Sequence, residues 1–416
     1  MEINIKDGYK VTEVGVIPDD WEVKKLGDIF EFKNGLNKEK KFFGAGTPIV
    51  NYMDVYKNRG LTEKHLKGRV TVTEQEIKTY EVRENDVFFT RTSETVEEIG
   101  ISSVIIDNVQ NTVFSGFILR ARPKNHDLIN SYKQYCFSSQ IIRSQIISTS
   151  SYTTRALTNG KLLSNIIISI PPLAEQKAIA HALSDVDNLI TAIDQLITKK
   201  RNIKQGTMQE LLTGKKRLPG FSGKWEVKKL GDIGSFYSGG TPNTSNSSFY
   251  NGNIVWITSG DLNNKWIRNV NGRITQKGLE NSSAKLVRKN TLLMAMYGAT
   301  AGIIAITEIE GAINQAILAI ILNNDCIEFF FHKLTSMKEW IIKTYTQGGQ
   351  PNLSGNIVKS LEFAIPPLPE QKAIAEILTD IDKEIEALEK NRDKYKTIKQ
   401  GMMQELLTGK TRIIDN

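Results

Sequence analysis

The chain has few of the residues from which metal centres, disulfide frameworks and membrane spans are built. Its 416 residues include two cysteines, Cys136 and Cys326, and four histidines, none of which lies within five residues of another. Two cysteines exclude a disulfide scaffold or a cysteine-based zinc site, and such scarcity is typical of a reducing compartment. No run of about 18 apolar residues occurs, so no transmembrane helix is predicted.

The beginning of the chain, residues 1–8, lacks the apolar segment of a secretory signal, so we expect a cytoplasmic protein. Hydrophobic residues make up 40% and charged residues 24% of the sequence, which is typical of a globular protein. At this length two or three domains are expected. The 54 basic and 46 acidic residues give a net charge of +8, which weakly favours a polyanionic partner such as nucleic acid.

Three blocks of sequence occur twice in the chain. Near-identity at three places indicates a duplicated unit of about 200 residues. The pairs are residues 21–29 with 225–233 (WEVKKLGDI, 204 positions apart), 170–180 with 365–375 (IPPL, one variable residue, EQKAIA, 195 positions apart) and 204–215 with 399–410 (195 positions apart).

The regions between these blocks differ in sequence but share a pattern of short apolar runs bounded by polar turns, which predicts strands. A helix and a final strand are predicted to close each region. Each variable region is therefore predicted to be a mixed α+β domain of about 150 residues. The aligned elements are strands at 49–54 and 254–259, strands at 86–92 and 290–296, helices at 131–147 and 325–345, and strands at 162–170 and 357–365.

The segment after each Pro-Pro pair is predicted to be a long helix that ends at Leu-Leu-Thr-Gly. About 40 residues at ~1.5 Å rise give a rod of roughly 60 Å, long enough to hold two domains apart. Apolar residues at alternating spacings of three and four form a coiled-coil seam. We expect the two seams to pair with each other; the alternative is that each packs on its own domain. The seam residues are Ile179, Leu183, Val186, Ile190, Ile193, Ile197, Ile374, Leu378, Ile381, Ile385 and Leu388.

Motifs for catalysis are incomplete. Residues 42–46 (FFGAG) match the spelling of an S-adenosylmethionine pocket, but a charged stretch precedes them where an apolar strand is needed. The two Ile-Pro-Pro-Leu sequences lack the polar acceptor and the aromatic ring of adenine methyltransferases. Residues 409–411 end like a phosphate-binding loop, but Gln404 occupies the position of its first glycine. We predict no catalytic residue and no metal site.

Taken together, the repeated blocks resemble the specificity (S) subunit of type I restriction-modification systems. Further resemblance lies in residues 238–242 (SGGTP), 258–262 (TSGDL), 312–316 (AINQA) and 350–354 (QPNLS). The first domain lacks the Gly-Gly-Thr-Pro and Gly-Asp-Leu spellings, so its loops need not follow the geometry of the second. The resemblance covers essentially the whole chain.

The resemblance implies a fold and a function. The fold is α+β, with two similar mixed α/β target-recognition domains separated by two long antiparallel helices that form a coiled coil, a pseudo-two-fold internal repeat. Each domain is expected to read one half of a bipartite, asymmetric site in double-stranded DNA. The expected limits are 1–170 for the first domain, 171–217 for the central helix, 218–364 for the second domain and 365–416 for the C-terminal helix.

The resemblance also implies partners and leaves the chain itself without a cofactor. The helices are expected to set the spacer between half-sites and to dock two methyltransferase (M) subunits, which carry the S-adenosylmethionine pocket and the catalysis. Restriction (R) subunits join this core, and ATP and Mg belong to partner subunits. No membrane is involved. The acidic residues Glu384, Glu386 and Glu389 are expected to form part of the M-binding face.

Bases are read by Arg on guanine and by Asn or Gln on adenine, whereas Lys and Arg on phosphates set the register. We therefore choose polar residues at predicted strand ends and loops, and Arg91 first, because its aligned counterpart is Ala295. Two other functions stay open: a compact adenine methyltransferase with degenerate motifs, and a scaffold that reads no DNA. The DNA-binding candidates are Asn34, Arg91, Ser93, Tyr152, Thr153 and Arg155 in the first domain, and Thr241, Ser259, Lys265, Arg268, Tyr297, Gln315, Gln347, Gln350 and Asn352 in the second.

Overall fold

The computed structural model describes residues 7–152, 154–346 and 351–413. The chain divides into two compact units, one formed by Met1–Ile193 with Asn391–Asn416 and the other by Asp194–Lys390. Each unit contains one mixed α/β head and parts of two long helices. The first head is defined here as residues 7–170 and the second head as residues 222–365. The limits of the units cut through both long helices, whereas the domain limits expected above follow the helix ends.

The first head is built on a five-stranded sheet of order β4-β12-β8-β10-β6, flanked by a three-stranded sheet of order β11-β5-β7. The central strand β8 is buried at every residue, as its apolar sequence VFFT predicts. The elements up to residue 211 are β1 (Tyr9–Thr12), β2 (Gly15–Pro18), β3 (Glu22–Lys25), α1 (Leu26–Ile29), β4 (Phe30–Asn34), β5 (Phe43–Val50), α2 (Tyr52–Lys57), β6 (Gly60–Leu61), β7 (Arg69–Val70), α3 (Glu74–Thr79), β8 (Val87–Thr90), β9 (Thr92–Ser93), β10 (Ser102–Ile105), β11 (Val113–Phe114), β12 (Ile118–Pro123), α4 (Asn130–Cys136), α5 (Gln140–Thr149), β13 (Ser151–Tyr152), β14 (Ala156–Leu157), α6 (Gly160–Ser164), β15 (Ile167–Ile170) and the long helix α7 (Leu173–Leu211).

The second head repeats this plan, with a five-stranded sheet of order β17-β25-β22-β23-β19 beside a four-stranded sheet of order β20-β18-β24-β21. Its central strand β22 is also buried throughout. The elements after residue 211 are β16 (Glu226–Lys229), β17 (Gly234–Ser238), β18 (Tyr250–Ile257), β19 (Trp266–Ile267), β20 (Arg273–Ile274), α8 (Gln276–Glu280), β21 (Lys285–Val287), β22 (Thr291–Ala295), β23 (Ile304–Thr307), β24 (Gly311–Ile313), β25 (Ile317–Leu322), α9 (Ile327–Tyr345), α10 (Gly355–Ser360), β26 (Glu362–Ile365) and the long helix α11 (Leu368–Leu406).

The strand pairing corrects the alignment of the two heads. Ile49 pairs in parallel with Val113, and Trp256 pairs in parallel with Ala312 at the same place in the second head. Ile49 therefore corresponds to Trp256, two residues later than the sequence alignment placed it. The error arose because both positions lie in apolar runs, which match equally well when shifted by one strand period.

Several predicted elements differ from the structure. The helix predicted at 131–147 is two helices, α4 and α5, separated near Ser139, whose hydroxyl caps the second by accepting from the Ile142 N–H. The strand predicted at 162–170 begins only at Ile167, because Asn159 caps the short helix α6 just before it. Ser354 caps α10 in the same way in the second head, so the predicted strand at 357–365 is likewise shortened to β26.

The long helices start after Pro-Pro and stop before a glycine, as predicted. Gly214 and Gly409 have φ angles of 70° and 71°, the left-handed conformation that glycine adopts at helix ends. In the first unit the buried core joins Ile179 and Leu183 of α7 to Leu406 of α11 and to the first head. The core of the second unit has the reciprocal composition, with the start of α11 and the end of α7 against the second head.

Candidate functional site

Several strands of the first head end along a common edge. β8 ends at Thr90, which pairs with Ile118 at the start of β12. Beside them the Ser115 N–H donates to the Val50 carbonyl (3.0 Å), which brings the ends of β11 and β5 to the same place. Side chains just beyond these strands therefore gather into one surface. This first edge consists of residues 34–37, 51–53, 91–93, 115–117, 151–152 and 155–157.

Arg91 and Asn34 lie together at the first edge. Both line a cavity of about 530 Å³ that Lys33, Lys124 and Lys161 also border. The Arg91 guanidinium is half-buried, and its Nη1 lies 3.4 Å from the Gly116 carbonyl, so the side chain is held against the turn that precedes β12. A basic cavity with an amide at its rim suits a DNA strand, since it offers both phosphate attraction and base-reading donors.

The other candidates of the first edge have different surroundings. Ser93 is buried, and its hydroxyl accepts from the Thr95 N–H at 3.3 Å, which is a turn contact. Tyr152 is exposed in β13, and exposed Arg155 lies 3.8 Å from Glu94. Thr153 lies outside the described residues.

Ser93 and Arg155 border a second cavity of about 380 Å³, together with Tyr52, Met53 and Phe117. Phe117 and Met53 were not among the predicted residues. Phe117 is 63% exposed although it is a large apolar side chain. An isolated Phe in a loop belongs to no motif, so only its exposure identifies it.

The second head has an equivalent edge. β22 ends at Ala295, which pairs with Ile317 at the start of β25, and the Asn314 N–H donates to the Ile257 carbonyl (3.2 Å). The same strand ends therefore converge as in the first head. This second edge consists of residues 238–241, 258–262, 296–298, 314–316 and 351–353.

Five of the predicted residues lie at the second edge. The Thr241 hydroxyl donates to the side-chain oxygen of Gln315, so the amide is held by its oxygen and its NH₂ group is the donor end. Tyr297 pairs with Asn352 in an isolated antiparallel bridge. Ser259 begins a 3-10 helix capped by Thr258. Gln347 and Gln350 lie outside the described residues.

The backbone identifies equivalent positions at the two edges. The Arg91 N–H donates to the Phe117 carbonyl (3.0 Å), and the Met296 N–H donates to the Ala316 carbonyl (2.8 Å). Arg91 therefore corresponds to buried Met296 and not to Ala295, as the sequence alignment had it. Its difference from the second head remains, because an arginine still stands where the other head has an apolar residue.

Lys265 and Arg268 lie away from the second edge and bind acidic side chains. Lys265 Nζ lies 2.8 Å from Asp382 Oδ1 of α11. The Arg268 guanidinium contacts Glu308 at 2.9 Å and Glu386 of α11 at 3.4 Å. These cations thus connect the second head to its long helix, a role that no local sequence pattern predicts.

The expected acidic M-binding face is likewise engaged within the second unit. Glu384 pairs with Lys200 and Glu389 pairs with Arg201, both on α7, while Glu386 is the carboxylate that contacts Arg268. Glu384, Glu386 and Glu389 are therefore not a free acidic surface. Because Lys204 of α7 also pairs with Asp382 of α11, the helix segments of this unit run antiparallel.

Asp382 lies at the centre of a polar cluster, named here the second node: Lys204, Lys265, His332 and Asp382. Three of its side chains are largely buried, and that of Lys265 is exposed. Burial opposes the charge of Asp382, but hydrogen bonds from the two lysines hold the pKa of Asp382 below its usual value. His332 is fully buried, with Nε2 3.1 Å from the Thr379 hydroxyl and Nδ1 3.9 Å from Asp382. Burial lowers the pKa of His332 to about 3, and the two lysines act in the same direction.

The first unit has the same cluster with different side chains, named the first node: Arg59, Tyr135, Asp187 and Lys399. Asp187 of α7 pairs with Lys399 of α11 and accepts a hydrogen bond from the Tyr135 hydroxyl at 3.0 Å. Burial raises the pKa of Tyr135 to about 12, and the Asp187 carboxylate acts in the same direction. The Arg59 guanidinium lies 5.4 Å from the centre of the Tyr135 ring.

The repeated blocks meet at a further junction in each unit. Buried Glu175 accepts from the Trp21 indole (2.9 Å) and pairs with Arg412 at 2.6 Å. In the second unit Glu370 accepts from the Trp225 indole (3.2 Å) and pairs with Arg217, again at 2.6 Å. Each junction combines the first two blocks of one copy with residues just after the third block of the other copy. The blocks are thus the parts that join a head to both long helices.

The seam residues are buried or half-buried, and none is exposed. Ile179 and Leu183 pack on the first head as well as on the end of α11. Ile374 and Leu378 pack on the second head and on the end of α7. The start of each seam therefore has both kinds of neighbour that the sequence left as alternatives, its own domain and the other helix. The pairing of seam with seam stays a prediction.

The described residues contain neither a metal-binding cluster nor a membrane-spanning helix. In residues 7–152, 154–346 and 351–413, no group of three or more His, Cys, Asp or Glu is placed to hold a metal ion. Among the helices of that same part of the chain, none has the length and apolar content needed to cross a bilayer.

Comparison with known proteins gives the family. Residues 18–204 and residues 222–396 each match the model of the type I restriction modification DNA specificity domain. The chain belongs to this family. The resemblance stated from the sequence is thereby confirmed, and so are the two domains with their two long helices.

Relatives with specificity-subunit names match along the whole chain. The chain is 27% identical to the putative type I restriction enzyme MjaX specificity subunit of Methanocaldococcus jannaschii, over 98% of this chain and 97% of that protein. It is 26% identical to the MjaVIII specificity subunit of the same organism, over 99% and 98%. The S subunit structure from M. genitalium has the same fold, with a TM-score of 0.58 at 16% identity over 97% of this chain and 98% of that chain.

The specificity domains of the family and the compact units divide the chain differently. Each matched segment, 18–204 or 222–396, contains one head and most of one long helix. Each compact unit instead joins one head to parts of both helices. The end of the long helix that follows each head therefore belongs to the compact unit that contains the other head.

Proposed function

We propose that the chain is the sequence-reading subunit of a type I restriction-modification assembly, in which each head reads one half of a bipartite, asymmetric DNA site. The contrast between the two edges carries the proposal. Their backbone hydrogen bonds are equivalent, but Arg91 at the first edge stands where the second has Met296. Two heads with one fold and different side chains at the strand ends suit two different half-sites.

We further propose that the chain transfers no methyl group and cuts no DNA. It assembles with two M subunits and with R subunits, and S-adenosylmethionine, ATP and Mg belong to those partners. No cofactor of its own is required for reading base edges, because hydrogen bonds and apolar contacts suffice. An assembly that modifies genomic DNA acts in the cytoplasm.

The test is methylation mapping in a host that expresses the chain with its matching M subunits. We expect methylated adenines within one sequence made of two short specified parts and an unspecified spacer of fixed length. The control is the purified chain alone with labelled S-adenosylmethionine and DNA, which should transfer nothing. Transfer by the chain alone would support the alternative of a compact methyltransferase, and an assembly that binds without sequence preference would support a scaffold.

We also propose that α7 and α11 set the spacer, and the unit limits show where to test this. Inserting seven residues after Ile193 and seven after Lys390 preserves the heptad pattern and leaves the contacts inside each unit unchanged. Seven residues add ~10.5 Å of helix. At ~3.4 Å per base pair, the methylated site should keep both specified parts and gain about three spacer pairs. An unchanged spacer in a folded, active assembly would contradict the proposal.

A further inference from the structure

The first edge presents an apolar surface that the proposed polar readers do not explain. Phe117 is 63% exposed and Met53 is 47% exposed, and both border the cavity of about 380 Å³. Tyr52 and Tyr56 stack at 5.9 Å beside them, and the Tyr56 hydroxyl donates to Glu98. Large apolar side chains in contact with water at one place are typical of a binding surface.

The backbone of Phe117 is held in an ordered turn. Its N–H lies 3.4 Å from the Ser115 hydroxyl oxygen, and its carbonyl accepts from the Arg91 N–H at 3.0 Å. The Ile118 N–H closes the turn by donating to the Ser115 carbonyl at 3.1 Å. The exposed ring therefore stands on an ordered turn, directly beside the backbone of Arg91.

The same turn of the second head presents a polar side chain. Ala316 occupies the position of Phe117, since its carbonyl accepts from the Met296 N–H at 2.8 Å. Gln315, just before it, is exposed and is a predicted reader. One turn thus carries an amide at one edge and a phenyl ring at the other, which indicates that the two turns meet different chemical groups.

The only apolar group that base pairs present in the major groove is the C5-methyl of thymine. We propose that Phe117, with Met53 beside it, contacts that methyl group in the half-site read by the first head. This inference rests on the proposed function. The contact selects a thymine at one position, while Arg91 and Asn34 in the neighbouring cavity act on other bases or on phosphates.

The test uses the full chain assembled with its M subunits and duplexes that contain its mapped site. Each thymine of both half-sites is replaced in turn by deoxyuridine, which lacks only the methyl group. We expect about a fourfold loss of affinity at one thymine of one half-site, the value of one buried methyl-sized group. Phe117→Ala should weaken binding to the thymine site by a similar factor and abolish the difference between thymine and uracil there.

Phe43→Ala is the matched control, because Phe43 is an exposed phenylalanine of the same head at the opposite end of β5. It should leave the thymine preference intact. The inference is overturned if replacing thymine by uracil changes the affinity at no position, or if the Phe117→Ala variant keeps the thymine preference. It is also overturned if Phe117→Ala weakens binding to all DNA sequences equally, as loss of a wedge between bases would, or if the variant no longer assembles with M subunits. If the assembly with the unaltered chain binds DNA without sequence preference, the proposed function itself is contradicted instead.

Discussion

The two units are alike where a head meets the long helices and different where strand ends meet solvent. Trp21, Glu175 and Arg412 repeat as Trp225, Glu370 and Arg217 with nearly the same distances. At the edges the side chains do not repeat. Phe117 and Arg91 of the first edge stand where the second edge has Ala316 and Met296. The two halves are therefore alike where a head is attached to the helices and have diverged at the strand ends.

The two nodes are alike in their ion pair between the long helices and different in the side chain of the head that lies beside the carboxylate. Asp187 and Asp382 occupy equivalent positions of the two long helices, each paired with a lysine of the other helix. Tyr135 fills the place beside the carboxylate in the first unit and His332 fills it in the second. The ion pair that joins the helices is thus the same in both units, but the side chain beside it titrates in a different pH range in each.

The largest effect should come from removing the carboxylate of the second node. Asp382→Ala leaves Lys204 buried without its counter-charge, so we expect a loss of about 3–5 kcal/mol in the free energy of unfolding. Asp187→Ala should cost less, because a third of the Asp187 side chain is exposed. Urea unfolding of the two variants checks the order, and equal losses would show that the nodes are equivalent in energy as well as in geometry.

Arg91→Ala tests the divergence of the edges. We expect binding to the half-site of the first head to weaken by about 1–3 kcal/mol with relaxed choice at one base, while the other half-site is read as before. Gln315→Ala is the control in the second head and should affect only the opposite half-site. Competition binding of the assembly against single-base variants measures both, and a uniform loss across all sequences would assign Arg91 to a phosphate.

His332 should make the second unit sensitive to mild acid. Its pKa is about 3 when folded and ~6.5 when unfolded, so the unfolded chain takes up a proton first as pH falls. Stability is therefore fully present above pH ~6.5 and decreases below it, by about 2 kcal/mol between pH 7 and pH 5.

His332→Gln retains a partner for Thr379 and removes the titration, so this part of the pH dependence should disappear. Unfolding at both pH values, followed with probes in each unit, measures the difference. The first unit has Tyr135 at this place and should not share the effect. An unaltered pH dependence in His332→Gln would exclude His332 as its source.

The sequence predicted the architecture well because the duplication repeats the same structural signals in both halves of the chain. The repeated blocks, the Pro-Pro starts and the glycine stops locate both long helices without any distant contact. The ion pairs of Lys265 and Arg268 could not be predicted, because their partners, Asp382 and Glu386, lie over 110 residues away and no local pattern links them. The capped turns at Ser139 and Asn159 were missed because apolar spacing continues through them.

The smallest effect should come from an exposed ion pair that the first unit does not have. Lys200 and Glu384 pair across the helices of the second unit, and their equivalents in the repeat are Tyr395 and Leu189. Both side chains reach water, so Glu384→Gln should cost less than about 1 kcal/mol and nothing in 1 M salt, where charges are screened beyond ~3 Å. Unfolding at low and high salt measures this. A loss of assembly with M subunits at unchanged stability would instead return Glu384 to the M-binding face and make this part of the helices, like the edges, a surface shaped by its partner.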